Sequence, residues 1–152
     1  MAETAAQPTF QIEKIYVKDL SLELPSAPQV FLQAETPQLE VQLRSGAQKF
    51  AEHLYEVVLT VTVTARAADR TLFLVEAAQA GIFTLRDIPE AEVDPVLAVA
   101  CPTILYPYAR EAISDLVTRG GFPPVLLAPV SFEALYAQRR QSEAAGPAAA
   151  PQ

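Results

Sequence analysis

Residues able to do acid–base, nucleophilic or metal chemistry are scarce in this chain: one histidine, one cysteine and scattered carboxylates among 152 residues. His53 lies between Glu52 and Leu54 in a polar connection, with no Cys-x-x-Cys or His-x-x-x-His companion, and so reads as a surface histidine rather than a ligand or base. Cys101 falls on the apolar side of a predicted helix, where a free cysteine behaves as a small hydrophobe. It has no second cysteine with which to close an internal disulfide. Asp19 and Glu23 are four residues apart on a predicted strand, ~13 Å from Cα to Cα. That is too far for the ~5 to 9.5 Å of a glycoside-cleaving carboxylate pair, but it suits an acidic stripe. Gly120 and Gly121 lack the following Lys-Ser/Thr of a phosphate loop, and no Gly-x-Gly-x-x-Gly occurs. The expectation is a protein without catalytic residues, metal or cofactor, and not an ATP-driven one.

The elements that would position these residues follow from periodicity. Leu39, Val41 and Leu43 alternate with Gln38, Glu40, Gln42 and Arg44, and Val57, Leu59, Val61 and Val63 alternate with Thr60, Thr62 and Thr64. Both patterns are half-buried strands. In the first segment Phe10, Ile12, Tyr16, Leu20, Leu22 and Leu24 share the even phase, whereas Gln11, Glu13, Asp19, Ser21 and Glu23 share the odd one. Ile15 and Val17 break that pattern. A fourth strand over 72–86 puts Phe73, Val75, Ala77, Phe83 and Leu85 in one phase and Leu74, Glu76, Ala78 and Thr84 in the other.

Val93, Val96, Leu97, Ala100, Cys101, Ile104, Leu105, Tyr108, Ala112 and Leu116 then recur at three-and-four spacing, giving a long helix with one strongly apolar side. Asp87, Glu90, Glu92 and Asp94 precede or open it, where they complement the positive end of its dipole. After Gly120 and Gly121, FPPVLLAPVSF stays apolar but loses periodicity, because prolines deny backbone donors and fix φ. Such a loop packs against something or binds something. Ser131 reads as the N-cap of a short terminal helix. Four strands, mostly antiparallel, followed by two helices make an α+β domain, with a long helix on one face of the sheet and a short C-terminal helix. The folded domain is expected over residues 10–140, with a disordered N-terminus (1–9) and a disordered Ala/Pro-rich tail (141–152).

Size and charge narrow the function. One domain suits this length. Eleven basic against eighteen acidic residues give a net charge of −7, which repels a phosphate backbone or an anionic lipid surface. MAETAAQPTF has neither a basic n-region nor an apolar h-region, so no secretory signal is expected and the cytoplasm is the default. The longest uncharged run, Pro95 to Ala109, falls short of the ~20 residues that span a bilayer.

CPTILYPYAREAISDLVTRGGFPPVLLAPVSFEALY, Cys101 to Tyr136, resembles the C-terminal half of the SecB family of bacterial protein-export chaperones, and FQIEKIYVKDLSLELPSAPQVF resembles the family's opening segment. YEVVLTVTVTA and FLVEAAQAGIF sit in the matching middle, so the likeness covers nearly everything from Phe10 to Tyr136 in order. The resemblance implies an ATP-independent holdase that keeps precursors unfolded for export, hands them to the translocase motor SecA, and works as a homotetramer, a dimer of dimers. It implies that the basic C-terminal zinc-binding segment of SecA docks on an acidic sheet face, at Asp19, Glu23, Leu74 and Glu76. It also implies a hydrophobic groove for unfolded precursors, with Phe31, Leu39, Val41, Leu43, Phe132, Leu135 and Tyr136 as its lining. Val96, Leu97, Ala100, Cys101, Ile104 and Leu105, on the long helix, are the expected oligomer contacts, because one small sheet has too little surface to cover that side. The tail GPAAAPQ lacks the acidic residues some family members carry there. The alternative is a monomeric carrier of a lipid-like small molecule in an apolar cavity; an enzyme of unrecognised type comes third.

Overall fold

The structure, a computed structural model, describes residues 7–33 and 35–146. Strands β1 (Thr9–Glu23), β2 (Gln38–Ala51), β3 (Leu54–Ala67) and β4 (Arg70–Arg86) form one antiparallel sheet in the order β1-β4-β3-β2. Placing β4 beside β1 requires a crossover connection between β1 and β2, which carries one 3-10 turn, Gln29–Leu32. Helix α1 (Glu90–Pro95) continues through a π-helical turn, Val96–Ala100, into α2 (Cys101–Arg119). Helix α3 (Phe132–Ala144) follows a proline-rich connection and is capped by Ser131, whose Oγ accepts from the Ala134 N–H at 3.2 Å. This is the predicted α+β arrangement. Two edges differ: Thr9 already belongs to β1, and α3 runs past 140 to Ala144 because Arg139–Glu143 and the surrounding polar residues continue its helical turns. Of the predicted disordered ends, 7–8 and 145–146 are described outside any strand or helix, and 1–6 and 147–152 lie outside the described residues.

The broken alternation of the first strand is a pair of β-bulges. The ladder between β1 and β4 shifts register between Ile12 and Lys14 and again between Val17 and Asp19. Each extra residue reverses which face the following side chains take. Phe10, Ile12, Leu20 and Leu22 therefore stand opposite Leu85, Phe83, Ala77 and Val75 on the helix side, and between the bulges it is Ile15 and Val17, opposite Gly81 and Gln79, that do so. Tyr16, grouped by parity with Phe10 and Leu20, is consequently on the other face. The buried Gln79 amide donates to the Tyr16 carbonyl at 3.1 Å beside the second bulge.

The core lies between one sheet face and α2. Val57, Leu59, Val61 and Val63 of β3 and Phe73, Val75, Ala77 and Phe83 of β4 meet Cys101, Leu105, Ala109, Ile113 and Val117, a strict i, i+4 stripe. Helix and sheet approach closely at Gly81, where an added Cβ would sit 2.8 Å from the Phe83 ring and 3.1 Å from Leu105 Cδ2. The apolar side predicted for the helix thus divides in two. Cys101 and Leu105, expected at an oligomer interface, are 0 % exposed against their own sheet and have no surface to offer a second copy. Val96, Leu97, Ala100 and Ile104 stay half-buried, and Tyr108 is exposed.

Shortening Leu105 leaves a cavity at that close approach. Leu105→Ala is expected to destabilise the subunit by about 2–5 kcal/mol, and Gly81→Ala to destabilise it by wedging Leu105 and Phe83 apart; denaturant unfolding followed by circular dichroism checks both.

Candidate functional site

Helix α2 lies over β4 and β3 and does not reach β2, where only Leu43 of the helix-side row packs against the core. Leu39, Val41 and Leu43, in register with Ala65, Val63 and Val61, share the core-facing side of the sheet, yet Leu39 is 47 % and Val41 44 % exposed. Exposed aliphatic residues in a row on a strand form an adhesive surface. At one end of the row a hollow of about 470 Å³ is lined by Val30 and Phe31 of the crossover connection, Leu39, Phe73, and Phe122 to Leu126 of the α2–α3 connection. At the other end a hollow of about 290 Å³ is lined by Leu43, Leu59, Ala98, Phe132, Leu135, Tyr136 and Arg139. Val41 lies between them, so the strand forms the floor of one apolar trough about as long as the row of three side chains.

The walls of the trough are held from behind. Phe122 packs 5.4 Å from Phe31 and 5.0 Å from Phe73, ring centre to ring centre. Gly121 makes that approach possible: its φ is +90°, and a Cβ there would meet Phe31 at 3.0 Å. Arg70 reaches across to Gln33 and, at 3.3 Å, to Glu35, tying the crossover connection to the β3–β4 turn. At the other end the Tyr106 hydroxyl donates to the Ala128 carbonyl at 2.5 Å and its ring meets Phe132 edge-on. Phe132, expected as a lining residue, is 5 % exposed and serves as the floor of that hollow rather than a free contact. Helix α3 is fastened by Tyr136, which donates to Asp94 at 2.9 Å, with Arg139 3.7 Å from the same carboxylate. Asp94, predicted to complement the helix dipole, is thereby also the anchor of α3.

The opposite sheet face is polar, and there the four residues predicted as an acidic docking set come together. Asp19 stands opposite Ala78, Ser21 opposite Glu76, and Glu23 opposite Leu74, which puts Asp19, Glu23, Leu74 and Glu76 on the side away from the helices. Thr62 of β3 donates to Glu76 Oε2 at 2.8 Å. Lys18, the residue bulged out beside Asp19, turns instead to Glu56, with Nζ 2.7 Å from Oε1, and the Tyr16 hydroxyl donates to the same carboxylate. The Lys18 and Tyr16 hydrogen bonds hold the Glu56 carboxyl below its usual range. Partial burial, then the hydrogen bond and charge of Glu56, push the Tyr16 phenol up to about 12. Among the described residues no lysine or arginine is ion-paired with Asp19, Glu23 or Glu76.

Sequence reasoning assigned β2, Phe31 and α3 to the trough but not Phe73, Phe122, Leu126, Ala98 or Arg139. The unperiodic apolar run FPPVLLAPVSF was the available signal for Phe122 and Leu126. Ala98 enters through the π-helical turn, and a single π turn leaves no mark in hydrophobic spacing.

An open apolar trough on one sheet face, backed by an acidic polar surface on the other, is the surface of a protein suited to binding polypeptides. The chain belongs to the SecB family of protein-export chaperones: the family model described as preprotein translocase subunit SecB matches residues 3–143. The protein-export protein SecB of Methylobacillus flagellatus is 61 % identical over 138 residues, covering 91 % of this chain and 88 % of that one. That of Dechloromonas aromatica is 56 % identical over 149 residues, 98 % of each chain, and that of Neisseria meningitidis 57 % identical over 141 residues, 92 % of this chain and 96 % of that one. Among solved structures, a SecB-like chaperone of Mycobacterium tuberculosis, in complex with a peptide from an antitoxin, shares the fold with a TM-score of 0.67 at 20 % identity, over 80 % of this chain and 90 % of that one. Among the described residues no helix is long and apolar enough to cross a membrane.

Burial alone pushes the Cys101 thiol up to about 12, so at pH 8 almost none of it is the nucleophilic thiolate. Alkylation by iodoacetamide at pH 8 is expected to be slow on the native protein and to accelerate at least tenfold in denaturant; fast native labelling would show that the helix stripe opens readily.

Proposed function

We propose that this chain is an ATP-independent holdase that keeps precursor proteins unfolded in the cytoplasm and delivers them to the SecA translocase motor. The trough is its client surface. Aliphatic and aromatic groups along β2, with exposed Phe31 at one end and Leu135 and Tyr136 at the other, take up extended apolar segments by burial, with little dependence on sequence. The observation that carries this reading is the row Leu39, Val41 and Leu43, which faces the core side of the sheet yet lies outside the cover of α2, with Leu39 and Val41 exposed. A carrier of small molecules needs enclosed space between sheet and helix, and among the described residues that space is filled by Phe83, Leu59, Leu105 and Ile113. Binding by burial needs no nucleotide, and clients leave when the motor competes for them.

Motor docking is assigned to the polar face. Glu23 and Glu76 flank the apolar Leu74, with Asp19 farther along β1 opposite Ala78, a pattern suited to the basic zinc-binding segment at the C-terminus of SecA. Self-assembly is assigned to the outer edge of the helix, where Val96, Leu97, Ala100 and Ile104 are only half-buried, with a homotetramer, a dimer of dimers, as the product.

Calorimetry of variants against two ligands, an unfolded precursor and the SecA C-terminal segment, tests the division of labour. Charge reversal at Glu23 is expected to weaken motor-segment binding at least fivefold at low salt, less at high salt because exposed charges are screened over ~8–10 Å, and to leave precursor binding within twofold. Leu43→Ser with Leu135→Ser is expected to do the reverse. Equal losses for both ligands in both variants would sink the assignment. Light scattering should give a mass near four times 16.5 kDa, and Ile104→Asp should lower it, since an unpaired charge in a buried interface costs several kcal/mol.

A further inference from the structure

The acidic face contains an asymmetry that the docking residues alone do not explain. Glu76 sits on β4, an inner strand, and has two polar neighbours in register: Ser21 on β1 and Thr62 on β3. Its carboxylate accepts from Thr62, with 2.8 Å between Thr62 Oγ1 and Glu76 Oε2, and so leans toward β3. That direction is away from Asp19 and Glu23, both on β1. We infer that Thr62 is a positioning residue for motor docking, holding the Glu76 carboxylate over β3 so that the negative charge presented to a basic partner spans three strands. The inference rests on the docking reading above.

The physical reasons are two. A glutamate side chain on a strand has several rotamers, and one hydrogen bond to a χ1-restricted threonine selects among them before a ligand arrives, removing ordering entropy from the binding step. The bond uses only Oε2, so Oε1 remains an acceptor for an incoming lysine or arginine. Three carboxylates also repel one another, and leaning Glu76 away from the β1 pair lowers that repulsion in the unliganded protein. Lys18, bulged beside Asp19, is occupied by Glu56 at 2.7 Å, and the side-chain hydrogen bond that Glu76 makes is to the neutral Thr62. Threonine provides the donor without bringing a charge, which serine could also do and valine, its isostere, could not.

The test uses the whole chain and, as probe, the zinc-loaded basic C-terminal segment of SecA, titrated calorimetrically at low and high salt. Thr62→Val is expected to weaken binding roughly three- to tenfold, the scale of one repositioned hydrogen bond, and to flatten its salt dependence; Thr62→Ser is expected to bind as the parent does. Adding Thr62→Val to Glu76→Gln should cost nothing beyond Glu76→Gln alone, because the donor acts only through that carboxylate. The inference is overturned if Thr62→Val binds as tightly as the parent, if Thr62→Ser is as weak as Thr62→Val, or if the two changes add. Should Glu76→Gln alone have no effect, the docking reading itself falls, and this inference with it.

Discussion

Everything functional in this subunit depends on where one helix crosses one sheet. Packing the i, i+4 stripe of Cys101, Leu105, Ala109, Ile113 and Val117 against β3 and β4, with Gly81 admitting Leu105 at a point of close approach, buries the centre of one sheet face and nothing more. A single helix is about 10–12 Å wide and strands are ~4.8 Å apart, so it covers little more than two of four strands. The outer strand β2 lies beyond α2, and Leu39 and Val41 of its apolar side stay exposed. The trough is therefore a consequence of the fold's incompleteness rather than a cavity carved into it. The crossover connection and α3 wall the trough at its ends without roofing Val41.

The two sheet faces acquire different chemistry from the same strands. Strand alternation alone puts Val57, Leu59, Val61 and Val63 on one face and Thr60, Thr62 and Thr64 on the other, and in β4 it separates Phe73, Val75 and Ala77 from Leu74 and Glu76. Side chains on the two faces point in opposite directions, so the proposed client and motor surfaces share no side chain. The bulges of β1 serve the same separation. They let the even-numbered Phe10, Ile12, Leu20 and Leu22 face the helix side at both ends of a long strand, Leu22 packing on the core and the other three staying exposed, while the middle turns Tyr16 outward to Glu56.

Most of this was legible in the sequence, for identifiable reasons. Long, cleanly alternating strands and a helix with apolar three-and-four spacing are strong periodic signals, and the four strands and their faces follow from them, whereas the choice of Asp19, Glu23, Leu74 and Glu76 as a set comes from the family resemblance. Three features were not legible. The bulges were visible only as a disturbance at Ile15 and Val17, since periodicity registers that a phase changes but not that a residue has been inserted. The division of the helix's apolar side was hidden because a stripe wide enough to be seen contains both Leu105, which faces the sheet, and Ile104, which does not; only the crossing angle tells them apart. Phe122 and Leu126 lay in an apolar segment with no period, whose destination is set by Gly121 and by an aromatic contact with Phe31, distant in sequence.

The central claim is that client and motor occupy opposite faces of one sheet, and site-specific photo-crosslinking tests it most directly. With a photoreactive side chain at Val41 or, separately, at Leu74, each mixture of unfolded precursor and SecA C-terminal segment is irradiated and the adducts identified by mass. The account predicts that the probe at Val41 captures precursor and the probe at Leu74 captures the motor segment, each in the presence of the other ligand. Capture of both ligands at the same position, or of the precursor at Leu74, would contradict it.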